Sequence, residues 1–280
     1  MNTKFEEFYN KLLGEQRWSR LREALINQNS QQKVGLALKS VDNKQVKFSS
    51  GELQCLEEYS QDSSYSLDLA SVLAASSLQW KAKDKVLDLC SAPGGKSLVS
   101  QFILNGDGEW HLNELSQSRL IRLKAVMRDF SPALDSQRFF YKRDASKWGL
   151  MEKDAYDKVI CDVPCSGEAH LLETPSELKR WTAKSSKNLT VRQHAILCAA
   201  VDAVKPGGEI LYSTCSVNPN ENDAVIEKLL KKRSHLVEVA DLELSFKTEP
   251  TRYGHNLFPD QFPMGPIYFS VLRANPKMCQ

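Results

Sequence analysis

Several features that mark a specialised class of protein are missing from this 280-residue sequence. No apolar run approaches the ~20 residues that a membrane-spanning helix needs, so no membrane association is predicted. The opening MNTKFEEFYNKLLGEQRW has no apolar signal core and lacks the acid-poor, Arg- and Ser-rich pattern of a transit peptide. The expected location is therefore the cytoplasm. Internal repeats and low-complexity tracts are also absent.

The cysteine pattern and the charge balance exclude further classes. Seven cysteines are present, but no CxxC pair occurs among them, and an odd, scattered set is not typical of a disulfide framework. Cys161 and Cys165 are the nearest pair, with no second pair to complete a structural zinc site, so no metal site is predicted. Lys and Arg number 37 against 35 Asp and Glu, so phosphate binding would require a local basic face.

Residues 1–80 are predicted to form a small, mainly helical region. FEEFYNKLLGEQRWSRLREALI has apolar residues close to a helical period, with a break at Gly14 that divides it into two helices. KVGLALKSVDNKQVKF is strand-like around a polar turn. SLDLASVLAASSLQW is predicted to be a helix, with Ser66 as its cap.

From residue 81 to residue 280 the pattern alternates between strand and helix. Predicted strands are KVLDLC, GEWHLNE, RFFYKRD, DKVICDV, EILYSTC, LVEVADL and IYFSVLRA. Predicted helices are Ser97 to Leu104, SQSRLIRLKAVMRDF, Val191 to Val204 and Asn222 to Lys232. Such alternation predicts an α/β, Rossmann-like fold in which a mostly parallel sheet carries helices on both faces.

A glycine turn follows the first of these strands, in VLDLCSAPGGKS. The turn does not match GxGxxG, so a dinucleotide-binding interpretation has no support. Gly94 and Gly95 would let the backbone approach a ligand without Cβ atoms in the way, and the helix start behind them offers free N–H groups. The turn therefore indicates a ligand-binding edge of the sheet.

Acidic residues end the next three strands: Glu114, Asp144 and Asp162. Taken singly, each carboxylate is more often a solvated strand end or a helix cap. Taken together around a glycine turn, they suit a ligand with ribose hydroxyls, an adenine and a cationic centre, and they would repel a phosphate-rich one. S-adenosylmethionine is such a ligand and is the predicted cofactor.

Two cysteines stand just after neighbouring strands. CDVPCSG sets Cys165 after the fourth strand, and ILYSTCSVNPNEND sets Cys215 after the fifth. Because the carboxyl ends of adjacent parallel strands meet at one edge of the sheet, we expect both thiols and Asp162 in one crevice. The alternative is a pair of inert buried thiols, which is how Cys161 is interpreted.

LDLCSAPGGKS, DVPCSG and YSTCSVNPNENDAVI together resemble the Sun/Nop family of RNA (cytosine-5)-methyltransferases. QDSSYSLDLASVL, Glu114, the RDA beginning at Arg143, and KPGG fall where the family has counterparts. The resemblance covers Gln61 to Lys228. Its most specific part is the joint occurrence of PCS and TCS.

The resemblance implies a role for each matching residue. Cys215 is expected to be the nucleophile that adds to cytosine C6, and Cys165 to help release the methylated product. Asp162 is expected to hydrogen-bond the target base at N3, and Lys96 to contact both cofactor and substrate. The implied cofactor-binding residues are Cys90, Ser91, Ala92, Pro93, Gly94, Gly95, Lys96, Glu114, Asp144 and Asp162.

The resemblance also implies an RNA substrate. MGPIYFSVLRA is closer to the compact mitochondrial-type members, which favours rRNA over tRNA. After DVPCSG, EAHLLETPSELKRW replaces the Gly and paired arginines of many bacterial members, so this part of the RNA contact is expected to differ. Residues 1–80 are predicted to add RNA contacts to a catalytic domain at 81–280, and an accessory RNA-targeting protein is a further predicted partner.

Two other interpretations stay open on the sequence. A DNA-type cytosine-5 methyltransferase would use Cys165 of the PC dipeptide as its nucleophile. A catalytically inactive RNA-binding or assembly factor would bind RNA without the cofactor. Separate substitution of the two cysteines distinguishes the first interpretation, and titration with S-adenosylmethionine distinguishes the second.

Overall fold

The computed structural model describes residues 2–27, 33–37, 64–130 and 137–276. The later part of the predicted strand pair in KVGLALKSVDNKQVKF lies outside the described residues. The helices are α1 (Thr3–Leu13), α2 (Glu15–Ile26), α3 (Leu69–Ser76), α4 (Gly95–Ile103), α5 (Gln117–Phe130), α6 (Glu168–Glu173), α7 (Pro175–Arg180), α8 (Ala183–Ala203) and α9 (Asp223–Arg233), with a 3-10 helix at Ala145–Leu150.

The strands form one large sheet and one small ribbon. They are β1 (Lys33–Ala37), β2 (Ser64–Asp68), β3 (Asp84–Asp88), β4 (Gly108–Asn113), β5 (Gln137–Tyr141), β6 (Tyr156–Asp162), β7 (Val204–Thr214), β8 (Val237–Val239), β9 (Glu249–Pro250), β10 (His255–Leu257) and β11 (Ile267–Ala274). The large sheet has the order β5-β4-β3-β6-β7-β11-β10-β9, with β8 paired to β11, while β1 pairs with β2.

Five parallel strands, β3 to β7, confirm the predicted α/β, Rossmann-like fold. The chain order reverses at β3, between β4 on one side and β6 on the other, which is the switch point where ligands bind in such sheets. Strands β8 to β11 extend the sheet in antiparallel fashion beyond β7.

Helices cover both faces of the sheet and divide its core into two layers. One layer contains side chains of α1, α2, α8 and α9, and the other contains side chains of α3, α4 and α5. Within β6, Cys161 packs into the first layer and Ile160 into the second, as the two-residue period of a strand requires. Residues on either side of position 80 share these layers, and the domain boundary there stays a prediction.

Two helix starts differ from the sequence prediction. Ser66 is not a cap: it lies in β2, and α3 begins after Asp68, whose side chain accepts a hydrogen bond from the Ala70 amide at 2.9 Å. Helix α8 starts at Ala183 rather than near Val191, because Thr182 and Ser185 form a reciprocal capping box ahead of its polar first turns. Within the described residues, no helix is long and apolar enough to cross a membrane.

Candidate active site

Strands β6 and β7 bring the two cysteine loops to one edge of the sheet. They are parallel neighbours, with Asp162 at the end of β6 opposite Ser213 near the end of β7. Cys165 follows β6 by a short loop, and Cys215 comes directly after β7. The shared register therefore brings both loops to the same place at the carboxyl edge of the sheet.

The two thiols are in contact. The sulfurs of Cys165 and Cys215 lie 2.9 Å apart, and both cysteines are free. Cys215 is exposed, whereas Cys165 is half-buried. The hydrogen bond to Cys215 and burial raise the pKa of the Cys165 thiol well above its ordinary value, so Cys165 keeps its proton. The pair thus combines an accessible sulfur with a neighbouring thiol that can donate a hydrogen bond.

Asp162 and Lys96 form a partly buried ion pair beside the thiols. The Lys96 Nζ lies 2.8 Å from Asp162 Oδ2, and the Ser213 hydroxyl donates to Asp162 Oδ1 at 2.7 Å. Burial alone lowers the pKa of Lys96, but the nearby charge and hydrogen bond of Asp162 outweigh burial and leave the pKa raised. Lys96 is therefore a fixed positive charge at the mouth of the cleft.

The glycine turn has a packing role that the sequence did not reveal. Gly94 has φ +121°, and a Cβ there would lie 2.8 Å from Met127 Cε. A Cβ on Gly95 would lie 2.5 Å from Leu67 Cδ2. Cβ atoms at these positions would thus press on side chains of α5 and β2, and the approach of a ligand to these glycines stays a prediction.

The other two predicted carboxylates stand apart from the thiols. Glu114 is buried, accepts a hydrogen bond from the Ser116 amide at 2.8 Å, and lies 3.3 Å from Arg119. Asp144 caps the 3-10 helix through Ser146, and this hydrogen bond lowers the pKa of Asp144. Neither carboxylate lines the cleft that contains the cysteines, as far as the described residues show.

A cleft of about 520 Å³ joins these features. Its volume falls within the ~300–1,000 Å³ common for small-molecule sites. Of the residues predicted to form the site, those in its lining are Cys90, Ala92, Pro93, Lys96, Asp162, Cys165 and Cys215. Ser91, Gly94 and Gly95 belong to the same turn but are not part of the cleft lining.

Several residues of the cleft escaped the sequence analysis. Arg119, on a helix face that reads as solvated surface, lines the cleft and donates to the Ala92 carbonyl at 2.5 Å. Asp68 also lines it and accepts from the Gly265 amide at 3.2 Å, across 197 positions of sequence. Only the antiparallel strands beyond β7 bring Gly265 to this edge, and no local pattern predicts that contact.

Asp88, at the end of β3, is another such residue. It is buried beneath the turn and accepts hydrogen bonds from the Ser97 hydroxyl at 2.5 Å and the Cys90 amide at 3.3 Å. Burial raises the pKa of Asp88 to about 7. The acidic position in LDLC was a usable signal, since a carboxylate inside an apolar strand demands partners.

The sheet order, the cleft at the switch point and the paired thiols define a Rossmann-like methyltransferase fold with a two-cysteine site. A family model described as 16S rRNA methyltransferase RsmB/F matches residues 75–273. The chain belongs to this family, which confirms the membership that the cysteine motifs predicted.

Individual relatives agree with this assignment. The chain is 36% identical over 228 residues to the 5-cytosine rRNA methyltransferase NSUN4 of Xenopus tropicalis, covering 76% of this chain and 55% of that protein. It is 37% identical over 185 residues to the mitochondrial tRNA (cytosine(34)-C(5))-methyltransferase of Danio rerio, covering 65% and 50%. The chain thus spans about half the length of these curated relatives.

A solved structure shares the fold over nearly the whole chain. NSun6 from Pyrococcus horikoshii with SFG superposes with a TM-score of 0.75 at 15% identity, covering 96% of this chain and 97% of that one. At this level of identity, the superposition supports the fold alone.

Proposed function

We propose that this protein transfers a methyl group from S-adenosylmethionine to C5 of a cytosine in RNA. One observation carries the proposal: two free thiols in contact, 2.9 Å apart, beside a partly buried Lys96–Asp162 ion pair at the switch-point edge of the sheet. Cytosine C5 is too weak a nucleophile to attack a methyl donor unaided, so the reaction needs a covalent activator and a charge partner.

Cys215 is the proposed nucleophile. It is the more exposed of the two sulfurs and stands at the end of β7, where a base in the cleft can reach it. Addition of its thiolate to C6 moves electron density to C5. Lys96 lies close enough for its positive charge to interact with Cys215.

Cys165 is the proposed partner in product release. Loss of the C5 proton and expulsion of the Cys215 sulfur restore the aromatic ring, and the departing thiolate needs a proton donor. Because hydrogen bonding to Cys215 and burial raise the pKa of Cys165, its thiol holds that proton beside the leaving sulfur. A DNA-type mechanism would require Cys165 to be the thiolate, and its raised pKa argues against that role.

Asp162 and Lys96 form the proposed contact to the base at N3. Negative charge develops on the ring when sulfur adds to C6, and the positive charge of Lys96, held next to N3 by Asp162, stabilises it. The ammonium of Lys96, 2.8 Å from Asp162, keeps this corner of the site electrically balanced. Ser213 fixes the second carboxylate oxygen, so Asp162 has one defined orientation.

The residues around the turn fit S-adenosylmethionine. The cleft offers a wall made by Cys90, Ala92 and Pro93, with Asp162 opposite, and carboxylates rather than phosphate-binding cations end the strands. When bound, the cofactor supplies a methyl group on a cationic sulfur. Glu114 and Asp144 remain proposed contacts to its nucleoside part. NSun6, which shares the fold, was solved with SFG, an analogue of this cofactor.

The proposed RNA is ribosomal, with tRNA second. The family description and the frog relative both name rRNA, whereas the zebrafish relative names tRNA. The zebrafish relative is also described as mitochondrial, so a mitochondrial location stands beside the cytoplasmic prediction. Fractionation of cells that express the tagged protein separates the two locations. The accessory RNA-targeting protein stays a prediction.

Single cysteine substitutions test the mechanism. Cys215→Ala is expected to abolish methyl transfer to total rRNA and tRNA, because no nucleophile remains. Cys165→Ala is expected to accumulate a covalent protein–RNA adduct that survives denaturing electrophoresis. Cys198→Ala, which removes a thiol on α8 outside the cleft lining, serves as the matched control. Exchange of the first two outcomes would refute the assignment.

Substrate and cofactor are tested separately. Bisulfite mapping of 5-methylcytosine in rRNA and tRNA, from cells with and without the protein, identifies the modified position. Calorimetric titration with S-adenosylmethionine addresses the inactive-factor alternative. RNA binding together with no detectable cofactor binding would replace the enzyme proposal by that alternative.

A further inference from the structure

Two glutamates beneath the cysteine loops have no part in the proposed chemistry. Glu168 begins α6, shortly after Cys165, and Glu221 lies in the NPNEND segment after Cys215. Both side chains are completely buried, with 0% exposure, although glutamate is almost never fully buried without partners. Their hydrogen bonds therefore indicate why they are there.

Glu168 binds the opposite cysteine loop. Its carboxylate accepts hydrogen bonds from the Ser216 hydroxyl at 2.8 Å and from the Val217 amide at 3.1 Å. A third, short hydrogen bond comes from the Tyr9 hydroxyl on α1. The glutamate that follows Cys165 thus holds the two residues that follow Cys215.

Glu221 makes the reciprocal contacts. It accepts from the Ser166 amide at 3.0 Å and, through a short hydrogen bond, from the Ser166 hydroxyl. Gln193 and Ser186 of α8 donate to it at 2.8 and 3.1 Å. The glutamate that follows Cys215 thus holds the residue next to Cys165 and ties it to a long helix.

We propose that Glu168 and Glu221 are positioning residues, and that with Ser166 and Ser216 they form a crossed carboxyl clamp that sets the distance between the two cysteine sulfurs. Each loop supplies the carboxylate that fixes the other, so neither thiol can shift unless both loops move. The catalytic consequence of the clamp rests on the proposed function. Its effect on the two sulfurs does not.

The two carboxylates differ in a way that sharpens the test. Among the described residues, the hydroxyls of Tyr9 and Ser216 donate to one oxygen of Glu168, and because a hydroxyl can accept as well as donate, Glu168→Gln can keep both of these bonds. Glu221 meets an N–H donor on each oxygen, from Gln193 and Asn218. Glu221→Gln therefore turns an NH2 group toward another donor and breaks the clamp.

The distance between the sulfurs can be measured without RNA or cofactor. In a glutathione redox buffer, the two thiols give up two electrons and two protons to oxidised glutathione, forming the Cys165–Cys215 disulfide and two reduced glutathiones. Peptide mass mapping gives the equilibrium constant, which reports the effective concentration of one thiol at the other. Ser166→Ala, Ser216→Ala and Glu221→Gln are each expected to lower that constant by about tenfold or more.

Two variants complete the redox experiment. Glu168→Gln is expected to stay close to the parent, and so is Glu173→Ala, which removes an exposed glutamate of the same helix α6. The serine variants keep the buried carboxylates and guard against loss of the fold. An unchanged equilibrium constant in Ser166→Ala, Ser216→Ala and Glu221→Gln would overturn the clamp.

Turnover provides the second readout. If the clamp positions the release thiol, Ser166→Ala should accumulate the covalent protein–RNA adduct while cofactor binding is unchanged. A lowered redox constant with no adduct in Ser166→Ala or Cys165→Ala would leave the clamp standing and contradict the proposed reaction. An unaltered redox constant in the clamp variants, with the adduct present in Cys165→Ala, would do the reverse.

Discussion

Lys96 shows how one side chain can serve both structure and chemistry. Its side chain is only 7% exposed, yet the pKa stays raised because Asp162 outweighs the cost of burial. A buried amine without such a partner would lose its proton. The permanent charge at the cleft mouth is therefore a property of the pair.

Replacing Lys96 tests this interpretation. Lys96→Gln keeps a polar side chain of similar reach but removes the charge, so single-turnover methyl transfer should fall by about 100-fold or more. Lys81→Gln changes an exposed lysine just before β3 and should leave the rate unchanged. A parental rate in Lys96→Gln would remove Lys96 from the proposed chemistry.

The turn between β3 and α4 contains a glycine at which steric contact and backbone strain can be compared. Gly94 combines a positive φ with a Cβ position 2.8 Å from Met127, whereas Gly207 has a φ of +77° and no atom within 4 Å of its Cβ position. The two glycines therefore share backbone strain but differ in steric contact.

Alanine substitutions separate strain from contact. Gly94→Ala should lower the free energy of unfolding by roughly 1–3 kcal/mol more than Gly207→Ala, because the added methyl overpacks the helix α5 side of the turn. Chemical denaturation measures the difference. Met127→Ala should lower the free energy of unfolding less in the Gly94→Ala background than in the parent protein. Equal effects of the two glycine variants would show that strain alone matters.

Strong periodicity made the central elements predictable from sequence. Strands β3, β4, β6 and β7 are short apolar runs, and α5 is a long amphipathic helix, so local pattern and tertiary burial agree. The short elements α6, α7, β9 and β10 were missed. They have between two and six residues each, too few to display a period.

The parts of the site that depend on the order of the strands along the chain were predictable from sequence. Cys165 and Cys215 end adjacent strands, and that much follows from the strand pattern. Glu168 and Glu221 were not predictable, because SGEAHLLE and NPNEND read as polar, exposed turns. Their burial depends on donors from α1 and α8, which no local pattern connects to them.

Across the whole molecule, the first helix reaches the catalytic edge. Phe5 and Tyr9 are buried and pack against Trp181, and Trp18 stacks on Tyr9. The Tyr9 hydroxyl donates a hydrogen bond to Glu168. Trp181 is thereby committed to the core instead of to stacking on a base. Side chains of the N-terminal helices thus pack in the same core layer as residues of α6 and α8.

Glu168 makes the stability of the protein depend on pH. Burial, then repulsion from Glu221, raises the pKa of Glu168 to about 7, from an ordinary value of 4.5. The folded state therefore binds the proton more tightly than the unfolded chain does. The stabilisation that comes from this proton is complete below about pH 4.5 and is lost as the pH rises through about 7, at a cost on the order of 3 kcal/mol.

The Gln variant isolates this contribution. The free energy of unfolding of the parent protein should fall between about pH 5 and about pH 8. In Glu168→Gln the fall should be smaller by the contribution of Glu168, because the amide does not titrate. Asp88, whose pKa burial also raises to about 7, is present in both proteins and cancels in the comparison. Parallel stability curves in urea denaturation would contradict the assignment.

The reciprocal bonding of Glu168 to Ser216 and of Glu221 to Ser166 also concerns inheritance. Two motifs separated by some 50 positions behave as one module, since a change in either loop alters the partner of the other. A chimera that receives one loop from a relative should inherit a mismatched pair, while one that receives both should inherit a working site. During evolution, a substitution in one of these loops is therefore expected to be accompanied by a substitution in the other.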